Sequence, residues 1–189
     1  MDNILTSNSI FIARQPIFDQ HQRVWAYELL FRKPLANAIK SVHKDDEYST
    51  MKVIANAIIN FGLQTLTGGK RAFINFGHEL LTKGIPYILP KNLLGIEILE
   101  TIEPDSAVLK ASAKLKADGY LLILDDFIFL KKFIPLLKMA DIVKIEVTSD
   151  MFKKNHLLKA LSENTGIQFL AEKIESHEQF NTARDLGYS

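Results

Sequence analysis

The chain contains no cysteine, which excludes disulfides and thiolate metal centres and suits a reducing compartment. It also lacks an excess of either charge, with 23 basic residues against 22 acidic ones and a formal net charge of +1. Without a polyelectrolyte face, nucleic acid is not an expected partner. No apolar run approaches the roughly 18 residues that a membrane span needs, and the opening MDNILTSNS has no basic stretch followed by an apolar core. The expectation is a cytoplasmic protein that does not enter a membrane. The five histidines, at 21, 43, 78, 156 and 177, show no zinc-type spacing and read as surface residues. Gly68-Gly69-Lys70 lacks the upstream glycine of a phosphate loop and reads as a turn.

What is present is an ordinary globular composition, 47% apolar and 24% charged, in a chain of 189 residues, the size of one substantial domain. Extended runs are expected at 11–19 and 23–32, joined by the polar Gln20-His21-Gln22 in the manner of a hairpin. Five further runs, at 72–76, 95–100, 120–127, 142–147 and 167–174, are mostly continuous apolar segments, as in strands buried on both faces. Helical signals lie between them. Ser49 or Thr50 can cap an amphipathic run through Phe61, and Pro104 suits the first position of a helix ending before Gly119. Ser149 can cap a run closed near Gly166, and Ser176 with Gln179 makes a capping box. Residues 33–48 read as a polar loop or insertion, and Pro135 is expected to interrupt a helix over 129–139. Trp25 and the phenylalanines read most simply as core. Strand alternating with helix is the signature of parallel βα units, so the candidate folds are a barrel and a doubly wound sheet.

The chemistry lies in where ionisable residues interrupt these apolar runs. Glu28, Asn75, Glu97, Asp125, Asp126, Lys144, Glu172 and Glu175 fall inside or at the ends of successive strands. Burying an isolated carboxylate costs several kcal/mol, on the order given by transfer data, so charges in such places usually serve a site. From Asn75 the steps are 22 residues to Glu97, 28 to Asp125, 19 to Lys144 and 28 to Glu172, each about one βα unit. In a barrel such positions converge on the C-terminal mouth, where active sites are found. A ring of carboxylates with one amide and one lysine offers hard oxygen donors, which select Mg²⁺, Mn²⁺ or Ca²⁺ over zinc. Two cations bridged by an Asp can clamp a phosphodiester and activate water. A plainer account stands beside this one: Asp125-Asp126 could cap the next helix, and Lys144 could be a structural ion-pair partner.

At these residues the sequence resembles the EAL domain of cyclic di-GMP signalling over nearly its whole length. Tyr27-Glu28-Leu29-Leu30-Phe31-Arg32 stands where the family has E-A-L-L-R, and Gln15-Pro16-Ile17 is similar to its Q-P-I. Asn75 matches the N-x-S asparagine, Glu97 to Glu100 the E-I-T-E, Asp125-Asp126-Phe127 the start of D-D-F-G-T-G, Lys144-Ile145-Glu146 the K-I-D, and Ala171 to Glu175 the A-E-G-V-E. The resemblance implies a TIM-like (βα) barrel with an antiparallel first strand, formed by residues 1–189 as a single domain. It implies one cation held by Glu28, Asn75, Glu97 and Asp125, and a second by Asp125, Asp126 and Glu172. Lys144, Glu172 and Glu175 form the implied catalytic set, with Lys144 at the attacking water, while Glu28 and Arg32 meet the dinucleotide. The implied reaction opens cyclic di-GMP to linear pGpG, and a homodimer is among the arrangements the resemblance allows.

The departures point the other way. Leu29 replaces the signature alanine, Gly77 the serine, Leu99 the threonine, Glu146 the K-I-D aspartate and Lys173 the A-E-G-V-E glycine. Ile128-Phe129-Leu130 replaces the G-T-G loop, whose glycines give backbone freedom. The family's following Q-G-Y strand has no counterpart before Ser189, so a barrel incomplete at its C-terminus is expected. The set resembles the EAL half of EAL-HDOD regulators, implying a C-terminal HDOD module and a degenerate signalling domain with weak or absent turnover. An active Mg²⁺- or Mn²⁺-dependent phosphodiesterase is the alternative. An unrelated α/β barrel using an acidic mouth for sugar or enolate chemistry is a third.

Overall fold

A computed structural model describes residues 11–32, 62–126, 130–146, 163 and 165–188. The expected loop over 33–48 and the helices expected over 50–61 and after Ser149 lie outside the described residues, as do Ile128 and Phe129. Seven strands form one sheet in sequence order: β1 (Phe11–Phe18), β2 (Val24–Arg32), β3 (Arg71–Phe76), β4 (Leu94–Ile98), β5 (Leu121–Leu124), β6 (Ile142–Glu146) and β7 (Gln168–Glu172). β1 pairs antiparallel with β2, and every later pair is parallel. This is the mixed sheet of a TIM-like barrel over part of its circumference, with β1 and β7 as its two edges.

The antiparallel start follows from a local turn. Asp19 Oδ1 accepts from the backbone N–H of both His21 and Arg23, and Gln22 takes a left-handed φ of 59°, so the chain reverses within four residues of the end of β1. The later strands run in parallel because helices intervene. α1 (Leu63–Thr67) ends in Gly68 at a φ of 60°, which with Gly69 makes the expected turn. α2 (His78–Thr82) follows β3, and α3 (Ser106–Ala117) links β4 to β5. The cap of α3 is Asp105, whose Oδ1 accepts from Ala107 and Val108, so Pro104 precedes the helix instead of opening it. α4 (Ile134–Leu137) carries Pro135 in its first turn, where a missing N–H costs nothing, so the proline starts this helix and does not interrupt it. α5 (His177–Asp185) begins with the expected capping box between Ser176 and Gln179.

The strands have two layers of inward side chains, set by the period of two along each strand. The lower layer is apolar: Ala26, Phe73, Ile123, Ile142 and Leu170 pack as one buried cluster. Two residues further along the same strands stand Glu28, Asn75, Asp125, Lys144 and Glu172, and Gly95 and Glu97 repeat the step on β4. The outer faces of the strands pack against the helices in a separate, larger cluster that includes Ile74, Ile96, Leu122 and Val143. Trp25 is not fully enclosed as core; it meets Phe73 edge to face at 5.6 Å and remains 38% exposed. Among the described residues no helix is long and apolar enough to cross a membrane.

Gly95 belongs to the apolar layer because nothing larger fits. A Cβ there would lie 2.6 Å from Phe73 Cδ1 and 2.7 Å from Ile123 Cδ1. The Gly95→Ala substitution is expected to destabilise the fold by about 1–3 kcal/mol through overpacking. Denaturant titration checks this: the midpoint should fall with an unchanged slope, and an unchanged midpoint would show that the layer has room.

Candidate active site

Lys144 stands at the centre of the upper layer. Its Nζ lies 2.7 Å from Asp125 Oδ1, 2.8 Å from Glu172 Oε1, 2.9 Å from Glu97 Oε1 and 3.3 Å from Glu28 Oε2. Four strands and the residue just past a fifth thus bring their ionisable residues to one ammonium. The cluster is enclosed: Glu97 is 0% exposed and Lys144 2%. The Glu28, Asp125 and Glu172 side chains retain a thin opening to the mouth.

The electrostatics follow from too many carboxylates for one cation. Burial pushes the Glu97 carboxyl well above the usual carboxylate range, and Glu28 and Asp125 push it the same way against the pull of Lys144. Burial raises Glu172 as well, with Lys144 opposing and Asp125 and Asp126 adding to it. Burial alone would lower the Lys144 ammonium, but the combined pull of Glu97, Asp125, Glu28 and Glu172 outweighs it, so the lysine is held charged. Nζ meets Glu97 at Oε1, 2.9 Å away, which leaves Glu97 Oε2 buried without a hydrogen-bond partner. Asn75 Oδ1, buried on the neighbouring strand and in register with Glu97, also has none.

Unpartnered, buried hard oxygens beside an excess of negative charge fit a divalent cation, so the donor set agrees with Mg²⁺ or Mn²⁺. Among the described residues no three His, Asp or Glu side chains are arranged as a ready metal site; the carboxylates converge on the Lys144 ammonium instead. The expected ligands Glu28, Glu97, Asp125 and Glu172 therefore meet around Lys144, with Asn75 beside them.

The remaining expected residues lie apart. Asp126 follows β5 with a left-handed φ of 42°, its Oδ1 lying 3.8 Å from Lys173 Nζ. Lys173 also donates to Glu146 Oε2 at 2.8 Å. Two of the departures from the family pattern, Glu146 and Lys173, are thus partners of each other. Sequence reading placed both as isolated changes; their separation of one βα unit was the available signal. Lys173 holds a φ of 56°, the region where the family pattern has glycine. Glu175 is exposed at the rim, beyond ion-pair distance of Lys144, and its backbone N–H donates to Gln179 Oε1. Arg32 ends β2 opposite Phe11, and the reach of its guanidinium lies outside the described residues. Of the described histidines, His21, His78 and His177 are all exposed, as expected.

Above the cluster opens a cavity of about 890 Å³ between the edge strands β1 and β7. Gln15, Glu28, Asp125, Asp126, Lys144, Glu172, Lys173 and Glu175 contribute to its lining. Its size suits an organic ligand of several hundred daltons.

The shifted carboxyls predict a pH dependence. Glu97 and Glu172 bind protons more tightly when folded than at their ordinary value of 4.5, so their stabilising share is complete below that pH and is lost as pH rises through the raised values. Asp105 works in the opposite sense, but its share is already complete well above its ordinary 3.8. In chelator, the thermal midpoint is expected to fall from about pH 5 upward, and Glu97→Gln should flatten that slope. Differential scanning calorimetry across this range checks it; a midpoint that climbs with pH would contradict it.

No family model matches the chain. It is 34% identical over 184 residues to the uncharacterized protein YuxH of Bacillus subtilis, covering 95% of this chain and 44% of the relative. It is 32% identical over 186 residues to the cyclic di-GMP phosphodiesterase CdgJ of Vibrio cholerae, covering 97% of this chain and 43% of that protein. The chain therefore spans less than half the length of these curated relatives. Among solved structures, an EAL domain protein of Listeria monocytogenes superposes with a TM-score of 0.66 at 20% identity, covering 96% of this chain and 85% of that one. The manganese and cyclic di-GMP complex of Klebsiella pneumoniae BlrP1 gives 0.71 at 21% identity, covering 97% and 54%. With its motif residues gathered at one barrel mouth, the chain has the fold of EAL-domain proteins and is similar over nearly its whole length to a cyclic di-GMP phosphodiesterase.

Proposed function

We propose that the chain is the cyclic di-GMP-binding domain of a bacterial signalling protein, in which turnover is weak or absent. The observation that carries this reading is the pairing of Asp126 with Lys173. Asp126 is the carboxylate that the family pattern assigns to a second cation alone with Asp125 and Glu172, and here a tethered ammonium lies beside it. The replacement of the G-T-G loop by Ile128-Phe129-Leu130 supports the same reading.

One divalent cation, Mg²⁺ or Mn²⁺, would be held by Glu28, Asn75, Glu97 and Asp125, where it would supply positive charge to a phosphodiester oxygen. BlrP1 was solved with cyclic di-GMP and manganese, and also with calcium, which supports such a cation in this fold. Glu28 and Arg32 would meet the dinucleotide, and Lys144, supported by Glu172 and Glu175, would hold a water or a phosphate oxygen. A C-terminal HDOD module and a homodimer belong to the same reading; relatives more than twice as long leave room for a further module.

A second reading, an active phosphodiesterase, is favoured by the retention of Glu28, Asn75, Glu97, Asp125, Lys144 and Glu172 at one barrel mouth and by the similarity to CdgJ, a cyclic di-GMP phosphodiesterase. Calorimetric titration of cyclic di-GMP in Mn²⁺, with chromatography of the same samples, separates the two. The expected outcome is saturable, Mn²⁺-dependent heat, at least about ten-fold weaker for Glu28→Ala, as loss of one charged ligand implies, with no pGpG. Release of pGpG that disappears in Glu28→Ala would establish the second reading instead.

A further inference from the structure

We propose that Lys144 is the site's own counter-ion, standing where a divalent cation would bind, so that cation entry requires the ammonium to leave towards the mouth. This rests on the reading of the mouth as a cation site and adds a regulatory consequence: Lys144 sets how much divalent cation the site needs before it loads.

The geometry leaves little choice. One ammonium contacts an oxygen from each of Glu28, Glu97, Asp125 and Glu172, at 2.7–3.3 Å. A divalent ion held by Glu28, Asn75, Glu97 and Asp125 would claim three of the carboxylates that the ammonium contacts, and so compete with it for them. Two cations on the same carboxylates repel strongly in so enclosed a place, where the Lys144 side chain is only 3% exposed. They cannot share the cluster; one excludes the other.

The exchange has both a driving force and a path. One positive charge among four carboxyl groups leaves the cluster under-neutralised, whereas a divalent ion brings two and would also engage Glu97 Oε2 and Asn75 Oδ1, which lack hydrogen-bond partners. Lys144 itself lines the mouth cavity, so its four-carbon stem can carry the ammonium upward without leaving β6. There it would face a phosphate rather than a carboxylate. The same side chain thus holds the metal-free cluster together and faces ligand once a cation is bound.

The test is calorimetric titration of the full chain with MnCl₂, comparing wild type with Lys144→Met, which keeps the length of the side chain and removes its charge. The expected result is at least ten-fold tighter Mn²⁺ binding by the variant, together with a lower thermal midpoint in chelator and a larger rise on adding Mn²⁺. Equal or weaker binding by Lys144→Met, with wild type binding normally, overturns the counter-ion role and leaves the cation site standing. If neither protein binds Mn²⁺, the cation site and this proposal fall together. Because the variant could fail to fold in chelator, a second measurement uses wild type alone. Reductive methylation followed by mass spectrometry should find Lys144 protected in chelator and labelled several-fold faster in saturating Mn²⁺; an unchanged or slower rate overturns the proposal.

Discussion

One ammonium surrounded by four carboxylates governs this domain. Each partner comes from a different strand or the residue following one, so the contact ties Glu28 of β2, Glu97 of β4, Asp125 after β5 and Glu172 of β7 to Lys144 of β6. Breaking a buried pair of this kind by removing one partner typically costs about 3–5 kcal/mol, because the survivor is left uncompensated. Here the imbalance is greater, since three carboxylates exceed what the lysine neutralises. The cluster is accordingly a poor source of stability, and Glu97 and Glu172 hold their protons more tightly as a result.

The fold supplies the convergence. Because side chains alternate along a strand, an inward apolar residue is followed two positions later by an inward ionisable one, and this step recurs from Ala26 and Glu28 to Leu170 and Glu172. Phe73, Ile123, Ile142 and Leu170 close the floor and exclude water from below. Gly95 makes the floor possible by leaving space for Phe73 and Ile123. The polar layer then stands on an apolar one and faces the mouth cavity.

Much of this was legible in the sequence for physical reasons. Buried parallel strands must be apolar, so the few charges within them stood out, and their spacing of one βα unit indicated a common rim. The Ser176 capping box was readable because its hydrogen bonds are local. What was not legible depended on distance. Nothing in the order of residues indicates that Lys144 takes the centre while Glu175 stays at the rim. The pairing of Lys173 with Glu146 and Asp126 bridges three strands' ends, and a list of departures from a motif does not reveal that two of them are partners. Pro104 was misread because Asp105 caps the free N–H groups and so sets the helix start one residue later, and Pro135 because a proline in the first turn opens a helix as readily as it breaks one.

The domain is thus a barrel mouth in which Glu28, Glu97, Asp125 and Glu172 gather around Lys144, while Asp126 lies 3.8 Å from the ammonium of Lys173. The most direct test is a crystal structure with Mn²⁺, located by its anomalous scattering. The account predicts a peak within coordination distance of Glu28, Glu97 and Asp125, with the Lys144 ammonium withdrawn to the cavity. An anomalous peak elsewhere, or Lys144 still bound to all four carboxylates in saturating Mn²⁺, would contradict it.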